Sequence, residues 1–295
     1  MIDGTIMKGI GGFYYVKCTS DGNVYSCRAR GKFRKDGLVP VVGDHVKIDV
    51  TDTEKLEGYV TEISPRRNVF FRPPVSNIDL LLVTFAAKDP EPALDLIDKL
   101  TVTAVAQGVS CAICINKADL DPEFAEKLAK EYRPTGFPVL ICSAKEQKGI
   151  DDLKALLQNK ITALAGSSGV GKSSLLNAMG ENFTLETGSV SEKIKRGKHT
   201  TRHTELFPLS FGGFVFDTPG FGSFEVEKRK AQDLAALFPE IEAHEGGCRF
   251  PGCSHISEPD CSVKTALAEG KIGKSRYDSY CSLYDALKAV KDWQI

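Results

Sequence analysis

Two short motifs, in an unusual order, restrict this chain more than anything else in it. "GSSGVGKSS", starting at Gly166, contains G-x-x-x-x-G-K-S. It follows the apolar run "ITALAG" and opens "KSSLLNAMG", the strand–loop–helix setting that a phosphate-binding loop requires. "NKAD", with Asn116, Lys117 and Asp119, has the N-K-x-D form of a guanine reader. A nucleotide domain of this kind ordinarily carries the phosphate loop first. Here the base reader comes first, so the expected sheet keeps its set of strands but the chain enters it at a different point.

The hydrophobic pattern agrees. From Asn77, "IDLLLVTFAA", "VSCAICIN", "FPVLICSA" and "ITALAG" read as buried strands. Between them "PALDLIDKLTVTAVAQG", "DPEFAEKLAKEY" and "DDLKALLQ" have helical period, with Gly108 closing the first and Asp121–Pro122 opening the second. Such alternation predicts a mostly parallel α/β sheet, to which "ELFPLSF" and "GFVFDTPG" add two strands. Residues 1–72 differ. "GFYYVKC", "VYSCRARGKFR", "HVKIDV" and "GYVTEIS" are short strands separated by "SDGN", "KDG" and "VGD", which predicts a small barrel such as an OB-fold. That part holds 12 Lys/Arg against 9 Asp/Glu, a net +3 suited to RNA phosphates. "PRRNVFFRPP" reads as a linker. After Phe221 helical signals, "EVEKRKAQDLAALFPE" and "SYCSLYDALKAVKDW", flank a Cys/His cluster. The expected domains are 1–72, 73–221 and 222–295, in keeping with 295 residues.

Net charge is −1, which selects no partner for the whole chain. No apolar run approaches the length of a membrane span, and "MIDGTIMKGIGGFYYVK" lacks a basic start followed by an apolar block. A cytoplasmic protein with no membrane association is expected. The nine cysteines then point to a reducing compartment, where clustered thiols hold metal rather than form disulfides.

Each motif has a chemical reading. Backbone N–H groups of Gly166, Ser167, Ser168, Gly169, Val170 and Gly171 would turn onto phosphate oxygens of GTP or GDP, with Ser174 completing the contact set. Lys172 would reach the β- and γ-phosphates, and Ser173 would ligate Mg²⁺. In "DTPG", Asp217 would hold Mg²⁺ through water and the Gly220 N–H would sense the γ-phosphate. The Asp119 carboxylate suits guanine N1–H and its exocyclic amine, Asn116 the opposite edge, and the Lys117 stem the ring face. Ser143, Ala144 and Lys145 form an S-A-K element at the end of the next strand, with the Ala144 N–H placed for the base oxygen. "SEKIKRGKHTTRHTELF" occupies the place of a switch loop. Thr200 or Thr201 is the candidate Mg²⁺ ligand, Thr201 being favoured. Residues 192–205 carry five Lys/Arg and two Glu. Phe221 stands where a Gln often orients the attacking water, and Phe has no group for that task. His199 is the nearest alternative, an ordinary exposed histidine being the equal reading. Low intrinsic turnover and activation by a partner are expected.

Cys248, Cys253, His255 and Cys261 form C-x₄-C-x-H-x₅-C, a pattern for one closed, structural Cys₃His zinc site. "CAIC", Cys111 and Cys114, imitates a redox or metal pair. In a strand these two side chains face opposite ways, so they read as core. Cys18, Cys27, Cys142 and Cys281 are read as isolated structural cysteines.

The order N-K-A-D, S-A-K, phosphate loop, switch Thr, D-T-P-G resembles that of circularly permuted GTPases. With the N-terminal barrel and the Cys/His cluster it is similar, over essentially the whole chain, to the bacterial small ribosomal subunit biogenesis GTPases, the ribosome-small-subunit-dependent GTPase A family. "GKHTT" at 197–201 matches that family's switch. The resemblance implies an OB-fold, a permuted P-loop GTPase domain and a mainly helical zinc domain. It also implies GTP hydrolysis stimulated by the small subunit, late in 30S maturation, through rRNA contacts. Two rivals are a permuted GTPase with another RNA client such as tRNA, and an RNA-binding protein whose nucleotide site is a relic. Intact Lys172, Ser173 and Asp217 oppose the relic. Lys274, Arg276, Lys288 and Lys291 are expected to add RNA contacts, and a monomer is expected. Permutation leaves "DTPG" running directly into the zinc segment, so nucleotide state could move that segment as a lever.

Overall fold

The computed structural model describes residues 1–31, 33, 37–71, 73–181, 204–217 and 230–289, without the side chains of Phe71 and Asp217. The strands β1 (Ile2–Ile10), β2 (Phe13–Cys18), β3 (Val24–Ala29), β4 (His45–Asp52) and β5 (Glu57–Ile63) come first, then a hairpin of β6 (Val69–Phe71) and β7 (Pro74–Ser76). There follow β8 (Leu80–Ala86), α1 (Leu94–Ala106), β9 (Ser110–Asn116), α2 (Pro122–Tyr132), β10 (Val139–Ile141), α3 (Ile150–Leu157), β11 (Ile161–Ala165) and α4 (Lys172–Ala178). The last elements are β12 (Glu205–Pro208), β13 (Phe214–Asp217), α5 (Pro239–Glu242), α6 (Ser262–Ala268) and α7 (Lys274–Lys288). The chain divides into two compact units, Met1–Leu80 with Leu156–Leu164 and Phe183–Phe221, and Leu81–Ala155 with Ala165–Asn182 and Gly222–Ile295.

The first unit contains the barrel. Its strands run in the order β1-β2-β3-β5-β4, and β1 also pairs with β4, which closes it. Alternate residues point inward, as the period of two demands: Val16 and Cys18 from β2, Tyr25 and Cys27 from β3, Val46 and Ile48 from β4, Val60 from β5. Burial pushes the Cys18 and Cys27 thiols up, to about 11 and about 12, so both are packing groups. The sequence reading missed β1 because "IDGTIMKGI" carries glycines and a lysine. Gly4 is what lets β1 lie against β2: a Cβ there would fall 2.6 Å from Val16 Cγ1 and 2.7 Å from the Lys17 carbonyl oxygen. "VYSCRARGKFR" is strand only to Ala29. The β1 register shifts between Ile6 and Lys8. Before the shift, Ile2–Thr5 pair with β4; after it, Lys8 pairs with Glu205 of β12. β12 is antiparallel to β13, and β13 is parallel to β11.

The "linker" is folded. β6 and β7 pair antiparallel, and buried Asp44 accepts from Arg66 Nε (2.7 Å), Arg66 Nη2 (2.8 Å) and Ser76 Oγ (2.6 Å). These bonds fix both ends of the hairpin on the barrel, a long-range pairing that local composition does not encode.

Every residue of β8, which belongs to the second unit from Leu81 onward, is buried. It lies beside β9, which pairs in parallel with β10. Asp121 caps α2 as expected, accepting from the Phe124 N–H at 3.0 Å, with Pro122 first in the helix. The described part of "EVEKRKAQDLAALFPE" is not one helix. It forms 3₁₀ turns at Ala231–Asp233 and Ala235–Leu237, and extended Phe238 before Pro239 separates them from α5. Leu234, Leu237, Phe238 and Ile241 pack with Val263 of α6, Tyr280 and Leu283 of α7, and Val102 of α1. Among the described residues no helix is long and apolar enough to cross a membrane.

One expected RNA contact is overturned. Arg276 is fully buried, donating to Glu240 (2.7 Å), Asp98 (2.8 Å) and Thr101 (2.8 Å). Burial alone would lower its pKa; the two carboxylates outweigh that and raise it, so the guanidinium stays charged. A cation enclosed in this way has no free face for RNA. Lys274 is exposed and paired with Asp278, and Lys291 lies outside the described residues.

Candidate functional site

The phosphate loop is shaped by close approach. Gly166 sits at φ +138°, and a Cβ on it would fall 1.9 Å from the Thr84 carbonyl oxygen of β8. Gly171 sits at φ +92°, where a Cβ would fall 2.3 Å from Asn116 Nδ2. Only glycine meets both the left-handed backbone and the lack of space. The loop runs through Ser167, Ser168, Gly169 and Val170 into α4, which opens with Lys172, Ser173 and Ser174. Lys172 Nζ donates to the Gly166 and Ser167 carbonyls at 2.7 and 2.8 Å, and burial lowers its pKa. The ammonium is thus held over the loop it would serve.

The residues expected to read the base converge on that loop. Asn116 Nδ2 donates to the Val170 carbonyl at 2.9 Å, and Asn116 Oδ1 accepts from the Ala144 N–H at 3.3 Å. Its side chain, assigned from sequence to the base edge, therefore braces the phosphate loop against the S-A-K element. Ser143 Oγ donates to Asp119 Oδ1 at 2.6 Å, and Lys145 Nζ lies 3.9 Å from Asp119 Oδ2. That arrangement fixes the carboxylate plane before any base arrives. Lys117, at φ +57°, donates from Nζ to the Asp89 carbonyl. The loop after β8 was not singled out from sequence. Pro90 Cδ would lie 3.8 Å from a Cβ on Gly169, so this loop adjoins the phosphate loop. "AAKDPEP" at the carboxyl end of a buried strand was the available signal, since ligands in α/β sheets sit at such ends.

Of the remaining candidates, Asp217 ends β13, while His199, Thr200, Thr201, Gly220 and Phe221 lie outside the described residues.

Cys248, Cys253, His255 and Cys261 offer ligand atoms that all lie within 4.8 Å of one another. His255 Nδ1 is 3.5 Å from both Cys248 Sγ and Cys261 Sγ, and the other ring nitrogen, Nε2, is 3.1 Å from Glu245 Oε1. A carboxylate on the far nitrogen fixes the tautomer that leaves Nδ1 free to coordinate, so the set fits a metal ion. Burial opposes ionisation of Cys248, but hydrogen bonds from Ser262, Cys261 and the Val263 backbone prevail and pull its thiol down to about 6. Glu245 and Ser262 escaped the sequence reading because nothing in their spacing marks an outer partner. Cys111 and Cys114 are buried in β9, as core residues should be. Cys142 is not isolated: it shares a hydrogen bond with Cys114, which lowers the Cys142 pKa and raises that of Cys114.

A phosphate loop braced by an upstream N-K-x-D, with a closed barrel before it and a Cys₃His cluster after it, defines a circularly permuted GTPase. Residues 63–227 match the family model of the RsgA GTPase, and residues 3–60 that of the RsgA N-terminal domain. The chain therefore belongs to the RsgA GTPase family and is a GTP-hydrolysing enzyme. It is 47% identical to the small ribosomal subunit biogenesis GTPase RsgA of Agathobacter rectalis, covering 97% of this chain and 98% of that one. The corresponding figures for the protein of the same name from Ruminiclostridium cellulolyticum are 45%, 99% and 95%. Among solved structures, YjeQ from Thermotoga maritima superposes with a TM-score of 0.84 at 33% identity, covering 98% of this chain and 99% of that one. YloQ, described as a circularly permuted GTPase, gives 0.81 at 38%, covering 99% and 96%.

Proposed function

We propose that this GTPase hydrolyses GTP to GDP and phosphate under stimulation by the small ribosomal subunit, late in 30S maturation, through contacts to rRNA. The observation that carries the reading is likeness along the whole length to proteins named for small-subunit biogenesis, in a chain whose nucleotide loops are intact. The outer barrel face supports the RNA part: Tyr15 and Tyr59 are exposed, and the Arg28 guanidinium lies 4.5 Å over the Phe13 ring. Exposed aromatics interleaved with cations suit stacking on unpaired bases. We read residues 1–72, 73–221 and 222–295 as the RNA-binding, nucleotide and zinc segments of a cytoplasmic monomer.

In this reading Lys172 and the N–H groups of 166–171, with Ser174, hold the phosphates, while Asp119 and the Ala144 N–H read guanine. Asn116 keeps the two sets in register, and Lys117 and Lys145 flank the base. Ser173 and Thr201 would hold Mg²⁺, with Asp217 through water, and the ion would neutralise charge developing on the phosphates. The Gly220 N–H would contact the γ-phosphate. His199 would position the attacking water, a task Phe221 has no group to perform. Zn²⁺ in the Cys₃His set would be structural.

Hydrolysis measured alone, with purified small subunits, with large subunits and with tRNA tests the proposal. We expect stimulation by small subunits only. Stimulation by tRNA instead would establish the other RNA client, and no hydrolysis in any arm would overturn the enzymatic reading of this chain.

A further inference from the structure

Helix α7 grips four other parts of its unit within two turns, namely α1, α2, α5 and the Cys/His loop. Its first turn docks on the helices that leave the nucleotide loops. The Ser275 N–H and Oγ both donate to Glu131 Oε2, at 3.3 and 3.2 Å, near the end of α2. Gly273 lies so close that a Cβ would fall 2.4 Å from the Glu131 carbonyl oxygen. Arg276 bonds Asp98 and Thr101 of α1 and packs its guanidinium 5.9 Å from the Tyr132 ring of α2. The next residues of α7 hold the metal loop. Tyr277 OH donates to the His255 carbonyl at 2.6 Å, and Tyr280 OH to the Ser254 carbonyl at 2.9 Å.

The far ends of the gripped helices are nucleotide loops. α2 begins directly after "NKAD", with Asp121 as its cap. α1 begins after the loop that carries Asp89, acceptor for Lys117, and Pro90, neighbour of Gly169. The path from His255 to Asp119 and Lys117 thus consists of helices joined by the buried bonds of Arg276 and the part-buried bonds of Ser275 and Tyr277. It is separate from the chain connection through "DTPG".

We propose that α7 is a strut through which metal and guanine nucleotide bind cooperatively, with Ser275, Arg276 and Tyr277 as positioning residues for the nucleotide loops. Arg276 supplies the rigidity, because a buried guanidinium bonded to carboxylates on two other helices ties both of them to α7. Coupling of this kind is reciprocal: the factor by which metal raises nucleotide affinity is the factor by which nucleotide raises metal affinity. The inference rests on reading the Cys₃His cluster as a metal site.

The test uses the full chain, Zn²⁺ as the metal, GDP as the nucleotide, and a chromogenic chelator to read metal affinity. Bound GDP is expected to raise metal affinity about tenfold, within the usual range of such couplings. Tyr277→Phe and Ser275→Ala each remove hydrogen bonds at the surface of the strut without unpairing a buried charge. Each is expected to cut that factor severalfold and to weaken GDP binding in the metal-loaded protein, with far-UV spectra unchanged. Zinc affinity indifferent to GDP in the wild-type chain overturns the strut, as does an undiminished factor in both variants. A chain that takes up no zinc overturns the strut and the metal reading together, whereas GDP-indifferent zinc binding leaves the metal reading standing.

Discussion

In the N-K-x-D loop the side chains of the motif already have protein partners. Asn116 is engaged by Val170 and Ala144, Lys117 by Asp89, and Asp119 by Ser143. In the Cys₃His loop the candidate ligand atoms mainly face one another: Cys248 Sγ lies 3.8 Å from Cys261 Sγ, and both flank His255 Nδ1. The first arrangement is complete without its ligand. The second gathers groups that must lose protons to ligate, and only a cation compensates their charge. The nucleotide loops are therefore set by the fold, whereas in the metal reading proposed above the fold of residues 248–261 depends on the bound cation.

Chelation breaks the comparison most strongly. Structural zinc in small domains carries of the order of 10 kcal/mol of folding free energy. Removing it should abolish hydrogen-exchange protection across 248–268, while the amides of β8 and β9 stay protected. Equal protection throughout would mean that the metal loop, like the guanine loops, is prebuilt. Second in size is Arg276→Met. It leaves Asp98 and Glu240 buried without their cation, which costs about 3–5 kcal/mol by denaturant unfolding. Replacing all three by apolar residues should recover most of that loss, because the penalty comes from unpaired charge rather than from a missing attraction.

Asp119→Asn sharpens the other side. The amide still accepts from Ser143 but no longer pairs with both guanine donors, so GTP affinity should fall roughly a hundredfold, about 2.7 kcal/mol. Calorimetry without nucleotide should show an unchanged melting temperature. A large drop would make Asp119 a structural residue first and a base reader second.

The contrast also explains what could be read from the sequence. Motifs that bind a ligand with backbone and neighbouring side chains are local, so Gly166–Ser173, Asn116–Asp119, Ser143–Lys145 and the Cys/His set were all legible as strings. Elements created by distant partners were not. β1 hides behind Gly4, whose missing side chain is an answer to Val16 and Lys17 on another strand. The β6–β7 hairpin depends on Asp44, far away in the barrel. Arg276 looked like a surface cation because charge predicts exposure, and only Asp98 and Glu240, from two other helices, reverse that expectation. Asn116 was legible as a member of its motif but not in its bracing role, since Val170 lies well downstream.

The smallest effect separates a loop from the helix behind it. Asp121 caps α2 just after "NKAD", and its side chain accepts from the Phe124 N–H. Asp121→Ala removes one cap and should cost about 1 kcal/mol of stability. The Asp119 carboxylate is also held by Ser143, which belongs to another segment, and α1 still carries the strut to the loop that holds Lys117, so fraying confined to the first turn of α2 should leave the site in place. GDP affinity in the variant should therefore stay within about twofold of the wild type, a change of under about 0.5 kcal/mol. A tenfold loss would show that α2 itself, rather than the bonds across the loops, sets the base reader, and would make the prebuilt site depend on helix packing.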